Sequence, residues 1–386
     1  MIRLLHLADL HLDAKPSYLD DKAEQRGKDF LDAFERAVNF ALDPENDIHA
    51  VVIAGDLFDS SNPSTDCIRF TIKQLKALKK SDIPAIVVPG NHDSLSMPGS
   101  VFGDPTSLLR KLINLATSPN PEQFCTLTIN GEEVHFYGMA WDPGRSKPPF
   151  DQFKAVAADG FHIAVIHGTL EGAHFYDLHS RDVPLSLDNL KNTGMDYIAL
   201  GHIHSPQMKK AGKIPVVYPG TLEGKRFSAS EVGERNLCVV TLEKGKQAKL
   251  EKLVWNKRTI LIEKLNTEKA ALESQGELVE YLRKEYASNE CIAKITLEGA
   301  VPFLIDVDDV LNQLEDEFFY VDIIDHTDIF DTILIEEWEA ENTIRGLFVR
   351  KIHHLMDAET NGQGKEKIEL ALKLGVQSFQ KNEGGK

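Results

Sequence analysis

The sequence predicts a layered α/β domain followed by a small α+β unit and a set of C-terminal helices. Two observations carry that expectation. Short β-branched runs of nearly continuous apolar character recur through the first two thirds, as strands buried on both faces require, with helical patterns between them. Past about residue 255 the order changes to a compact alternation of strand and helix, with helical patterns alone after it.

The strand-like runs lie at 2–8, 50–54, 85–89, 134–137, 163–166, 197–200 and 216–218. Between them, residues 28–43 place Phe30, Phe34, Val38 and Leu42 on one side of a helix, and 65–80 place Ile68, Ile72, Leu75 and Leu78 likewise. The later unit reads as strand 259–265, helix 268–286, strand 291–298, helix 307–314 and strand 318–324. Helical segments follow at 333–356 and 365–379, split by the Gly- and Asn-containing linker 357–364. The expected domains are therefore 1–255, 256–328 and 329–386, with no internal repeat.

Five of the strands are followed by short motifs rich in metal-capable side chains: Asp9-Leu10-His11, Gly55-Asp56-Leu57-Phe58-Asp59, Gly90-Asn91-His92-Asp93, His167-Gly168 and Gly201-His202-Ile203-His204. In an open α/β sheet, the loops leaving the carboxyl ends of the strands converge on one crevice, so residues far apart in sequence can share a site. Each motif alone has a plainer reading. Asp-x-His is commonly a turn or a helix cap, Gly-Asn a turn dipeptide, and a single histidine a hydrogen-bonded core residue. Five such motifs after five strands, in one chain, point to one cause. Carboxylate, imidazole and amide oxygen together suit borderline divalent ions such as manganese, iron or zinc better than calcium.

The ordered set D-x-H, GD-x-x-D, GNHD, H-G and GH-x-H resembles the calcineurin-like metallophosphoesterase superfamily over roughly the first 220 residues. Within it the chain is similar to the SbcD/YhaO type of DNA double-strand-break-repair exonuclease. The residues that carry this narrower likeness are Leu5 to Leu12, Gly55 to Asp59, and Tyr218-Pro219-Gly220-Thr221 with Glu223-Gly224-Lys225-Arg226-Phe227. The resemblance implies a layered β-sandwich metallophosphoesterase domain flanked by helices, with the later α+β unit as a capping domain. It also implies that Asp9, His11, Asp56 and His204 hold one ion and Asp56, Asn91, His167 and His202 the other, with Asp56 as the bridge. His92 would then stand over the phosphate as catalytic acid, and Asp59 would orient it. Archaeal and eukaryotic relatives tend to carry histidine where this chain has Asp59, so the balance of exonuclease and endonuclease activity does not carry over. Two divalent ions, manganese first among them, would lower the pKa of a shared water and clamp the attacking and leaving oxygens of an in-line displacement.

Net charge is −17, with 33 acidic and 28 basic residues in 1–255 against 27 and 15 in 256–386, so the C-terminal third contributes −12. A polyanionic substrate normally binds through Lys and Arg, and no Lys or Arg occurs between Ile295 and Ile344. Two focused dications answer that objection locally. Lys225 and Arg226, with Lys209 and Lys210, are basic residues near the motifs and are candidates for flanking phosphates. DNA is the expected substrate and an SMC-type ATPase of the SbcC kind the expected partner, docking on the C-terminal helices through Ile368, Leu370, Leu372, Leu374, Val376 and Phe379. A homodimer is also open. The alternatives are a phosphoesterase for small molecules or phosphoproteins, and an interaction protein that kept the fold without metals. Four dispersed cysteines, the lack of a secretory pattern at Met1–His6 and the lack of a membrane-length apolar run lead to a cytoplasmic expectation.

Overall fold

A computed structural model of the chain describes residues 1–142, 150, 153–156, 159–172, 183–329 and 332–383. It divides into two compact units, Met1–Ile260 and Leu261–Lys386.

The first unit opens with β1 (Ile2–Leu7), α1 (Ala23–Leu42), β2 (Ala50–Ala54), α2 (Thr65–Lys80), β3 (Ala85–Val88) and β4 (Asn114–Leu115). It continues through β5 (Glu122–Ile129), β6 (Glu132–Gly138), β7 (Phe161–His167), the short pair β8 (Thr169–Leu170) and β9 (Pro184–Leu185), and α3 (Leu187–Leu190). It ends with β10 (Tyr197–Gly201), β11 (Gln207–Ala211), β12 (Ile214–Tyr218), β13 (Asn236–Leu242) and β14 (Lys249–Val254). The strands form two six-stranded sheets, ordered β14-β13-β1-β2-β3-β4 and β11-β12-β10-β7-β6-β5. Strands β1, β2 and β3 run parallel in the first, as do β6, β7, β10 and β12 in the second.

Side-chain alternation explains why these strands read as unbroken apolar runs. Leu4, Val52 and Ile86 face Phe136, Ile163 and Tyr197 across the interior between the sheets. Their neighbours Leu5, Val51 and Val87 face the other way, against Phe34 and Val38 of α1 and Leu75 and Leu78 of α2. The second sheet turns Ile166, Ile198 and Val216 toward Phe150, Phe153 and Leu190 on its own outer side. Both faces of each sheet are therefore buried, and the layered α/β expectation holds.

Helix α2 spans the expected residues, started by Ser64, whose hydroxyl accepts from the Cys67 amide. Helix α1 starts five residues earlier than its apolar spacing suggests, because its first turn buries the charged Arg26. Strands β5, β11 and β14 were not legible as apolar runs, since each lies at a sheet edge with exposed polar residues such as Glu122, Lys210 and Lys252. Strand β13 is as apolar as the parallel strands, and nothing in its composition accounts for its absence from the expectation.

β15 (Thr259–Asn266), which begins two residues before the second unit, forms a three-stranded sheet with β16 (Ser288–Val301) and β17 (Phe318–Ile329). Helix α4 (Gln275–Tyr286) and helix α5 (Val307–Leu314) cover it, capped by Ser274 and Asp306 respectively. The helical region then divides into α6 (Thr332–Ala340), α7 (Ile344–Ala358) and α8 (Gly362–Glu383). Trp338, Val349 and Val376 make a small core with Phe348, Leu372 and Phe379, whereas Leu370 and Leu374 are more than half exposed. Part of the apolar surface expected to await a partner thus packs within its own unit. Among the described residues no helix is long and apolar enough to cross a membrane, and the four cysteines are free thiols.

Phe34 is fully buried where α1 meets the first sheet. Phe34→Ala should cost about 3–5 kcal/mol of stability in urea titration; a loss under about 1 kcal/mol would contradict this placement of the core.

Candidate metal centre

The motifs meet where the carboxyl ends of β1, β2, β3, β7 and β10 come together. Beyond the ends of β1 and β2 the two chains stay paired: the amides of Asp9 and His11 donate to the carbonyls of Gly55 and Asp56, and that of Asp59 donates to Leu12. This brings the first two motifs side by side. Glycine makes the approach possible, because a Cβ on Gly90 would overlap the Asp56 carboxylate and one on Gly201 the carbonyl of Ala54. The backbone is also strained here. Asp9, His11, Asp56 and His202 all have positive φ, four of the ten such non-glycine residues among those described, and strain of this kind tends to gather at functional sites.

Asp9, His11, Asp56 and His167 are buried, while Asn91, His92, His202 and His204 are partly so. Nε2 of His11 lies 3.1 Å from Nε2 of His204. Nε2 of His167 lies 2.9 Å from Oδ1 of Asn91 and 3.2 Å from Nδ1 of His202, which is itself 3.0 Å from the same Asn91 oxygen. Oδ2 of Asp56 is 3.4 Å from His167 Nε2, and its Oδ1 accepts from the His92 amide at 2.9 Å. Both oxygens of Asp9 accept from the amide of His202 at 3.0 Å. Ligand atoms of Asp9, His11 and His204 all lie within 4.8 Å of one another, as do those of Asp9, Asp56 and His167 and of His11, Asp56 and His92.

The far nitrogens of these rings decide what the near ones present. His11 Nδ1 is 3.0 Å from the Asp59 carboxylate, His204 Nδ1 is 2.9 Å from Glu231, and His167 Nδ1 is 3.0 Å from the Ala54 carbonyl. Asp59, Glu231 and the Ala54 carbonyl are acceptors, so each holds a proton on Nδ1 and leaves Nε2 as the atom that its ring turns into the site. Two lone pairs 3.1 Å apart repel unless a cation or a proton lies between them. Two donors each about 2.1 Å from one ion at roughly a right angle stand about 3 Å apart, so the donor set fits a metal. Carboxylates backing metal-facing imidazoles are the usual supporting arrangement.

Electrostatics point the same way. Burial depresses the His11 imidazole to about 4, despite Asp59, and leaves it neutral. Burial opposes charge on His167 too, but Asp56 by charge and hydrogen bond, helped by Asp9, lifts it to about 9. The cleft therefore attracts positive charge. Burial raises Glu231, yet its bond to His204 outweighs that and holds it down at about 2, so it is ionised.

His92 Nδ1 donates to the main-chain carbonyl of Asp59 at 2.8 Å, while the Asp59 carboxylate stands 3.8 Å away and is engaged by His11 and Lys225. Asp59 thus serves His92 through its backbone and His11 through its side chain. Lys225 is half-buried, paired with Asp59 and 3.4 Å from His11 Nδ1. Arg226 is largely exposed, 3.4 Å from Glu231. Lys210 reaches the side-chain oxygen of Gln247 at 3.5 Å.

Two residues of the site escaped the sequence reading. Glu231 lies in an irregular stretch with no motif of its own. Asp93 was visible as the last letter of GNHD but carried no role; fully buried, it accepts from the amides of Gly90 and Phe58 and ties the second and third motifs together. Burial, with the charge of Asp56, raises it to about 7.

Residues 2–206 match the family described as Calcineurin-like phosphoesterase. The chain is 27% identical over 309 residues to YhaO of Bacillus subtilis, described as an uncharacterized metallophosphoesterase, covering 78% of this chain and 72% of that protein. It is 31% identical over 246 residues to the DNA double-strand break repair protein Mre11 of Methanosarcina mazei and 32% over 241 residues to that of Haloferax volcanii. Each match takes in 62% of this chain, but only 36% and 49% of those two proteins.

Gly90→Ala should displace Asp56 and abolish metal binding while leaving the fold intact. Elemental analysis beside circular dichroism checks this, and undiminished metal content would contradict the geometry.

Proposed function

We propose that this chain, which belongs to the calcineurin-like phosphoesterase family, is a two-metal-dependent phosphodiesterase whose substrate is DNA. It is a hydrolase of the metallophosphoesterase kind, and the observation that carries the two-ion reading is the set of imidazole nitrogens turned into one acidic cleft. Asp9, His11 and His204 would hold one ion and Asn91, His167 and His202 the other, with Asp56 between them. The bound ions would supply charge neutralisation and an activated water.

The protein's own groups do the rest. Asp59, Glu231 and the Ala54 carbonyl hold the Nδ1 atoms of His11, His204 and His167 and so orient their Nε2 atoms toward the cleft. His92, its Nδ1 anchored on the Asp59 carbonyl, directs Nε2 to the cleft, where it can hydrogen-bond a phosphate oxygen or protonate the departing one. Arg226, exposed beside the site, can hold a flanking phosphate, whereas Lys225 is committed to Asp59. Support for DNA comes from the Mre11 relatives, and manganese is the ion first suited to this mixture of donors. An SbcC-like ATPase is the proposed partner, with the exposed Leu370 and Leu374 on α8 as its contact, and the cytoplasm the proposed compartment.

With manganese, the protein should release nucleotides from duplex DNA faster than it turns over a small aryl phosphodiester. Turnover of the small ester alone would favour a small-molecule or phosphoprotein substrate. His92→Ala should keep its metal and lose roughly 10²–10⁴ in rate; unchanged turnover would remove His92 from the chemistry.

A further inference from the structure

Helix α1 buries a full charge on each of two residues with no part in the cleft. Arg26 has no exposed surface, and its guanidinium donates from Nη1 to Glu223 Oε2 at 2.8 Å and from Nη2 to the carbonyl of Gly224 at 2.5 Å. Asp29, one turn on, receives Arg258 Nε at 2.6 Å and stands 3.6 Å from Arg26. Glu223 also accepts from the amides of Lys257 and Arg258. Taking so many charges out of water is costly unless each is closely paired, and a fold of this size could cover α1 with apolar residues.

What the network holds is the loop 223–231, and that loop supports only one half of the metal centre. The next residue after Gly224 is Lys225, whose ammonium pairs with the Asp59 carboxylate behind His11. The Lys225 amide bonds to Glu231, whose other oxygen receives His204 Nδ1. Tyr18, just before α1, donates to the Lys225 carbonyl at 3.1 Å. Both imidazoles that face each other at 3.1 Å are thus backed by carboxylates tied to this loop. His167 instead is backed by the Ala54 carbonyl of β2, which the loop does not touch among the contacts described.

We propose that Arg26 is a positioning residue for the ion between His11 and His204, acting through Glu223 and Gly224 on Lys225 and Glu231, and not for the ion of His167 and His202. The proposal rests on the two-ion reading above. Remote anchoring of this kind sets ligand orientation, and loss of such support typically weakens metal binding 10–100-fold.

Calorimetric titration of the full chain with Mn²⁺ tests it. Wild type should show two binding steps. Arg26→Lys keeps the charge but loses the two-pronged grip, and should weaken one step roughly 10–100-fold while changing the other less than about 2-fold. Glu231→Gln should weaken the same step, and the double variant should lose little more than either alone. Should Arg26→Lys fail to fold by circular dichroism, Gly224→Ala stands in for it, since an added Cβ would meet the Glu231 carbonyl at 2.9 Å and Ile260 at 2.7 Å and push the loop aside. Equal weakening of both steps, weakening of neither, or additive losses in the double variant would overturn the role given to Arg26. A wild type that binds fewer than two ions would instead refute the two-ion reading on which it stands.

Discussion

Two imidazole nitrogens, Nε2 of His11 and Nε2 of His204, held face to face 3.1 Å apart, are the constraint around which the first unit is organised. Such a contact needs a positive charge, a proton or a cation, between the two rings. It persists only because the opposite nitrogens are pinned by Asp59 and Glu231, and those carboxylates are pinned in turn by Lys225 and the loop that carries it. The fold therefore commits hydrogen bonds and buried charge to holding these nitrogens in one geometry, which is what a cation site in a rigid scaffold requires.

The sheets explain how such a site forms. Parallel strands end together, and their last residues leave in strained conformations, with positive φ at Asp9, His11, Asp56 and His202. Gly90 and Gly201 let carboxylate and carbonyl approach where a side chain would collide. Burial of both sheet faces by three apolar layers supplies the stability that this strain draws on. Strand, glycine and ligand are in that sense one device repeated along the chain.

Much of this was legible in the sequence, and the limits have physical causes. The apolar strands and the residues after them are local patterns, so β1, β2, β3, β7 and β10 and their motifs could be read directly. Helix α1 was read short because Arg26, in its first turn, is a charged residue in a buried position, which an apolar period cannot reveal. Glu231 was invisible for a related reason: its role comes from a bond to a residue 27 positions away, inside a loop without periodicity. The sequence also placed Asp59 beside His92, whereas the structure serves His92 with the backbone carbonyl and gives the carboxylate to His11. Which atom of a residue does the work is set by chain direction at the turn, and no motif encodes it.

The central claim is that the cleft exists to lodge two cations. Anomalous diffraction from crystals grown with manganese addresses it most directly. Two peaks are predicted, one bounded by Asp9, His11 and His204 and one by Asn91, His167 and His202, with Asp56 reaching both. A map without peaks at saturating manganese, with the His11 and His204 rings turned so that their nitrogens no longer face each other, would contradict the account.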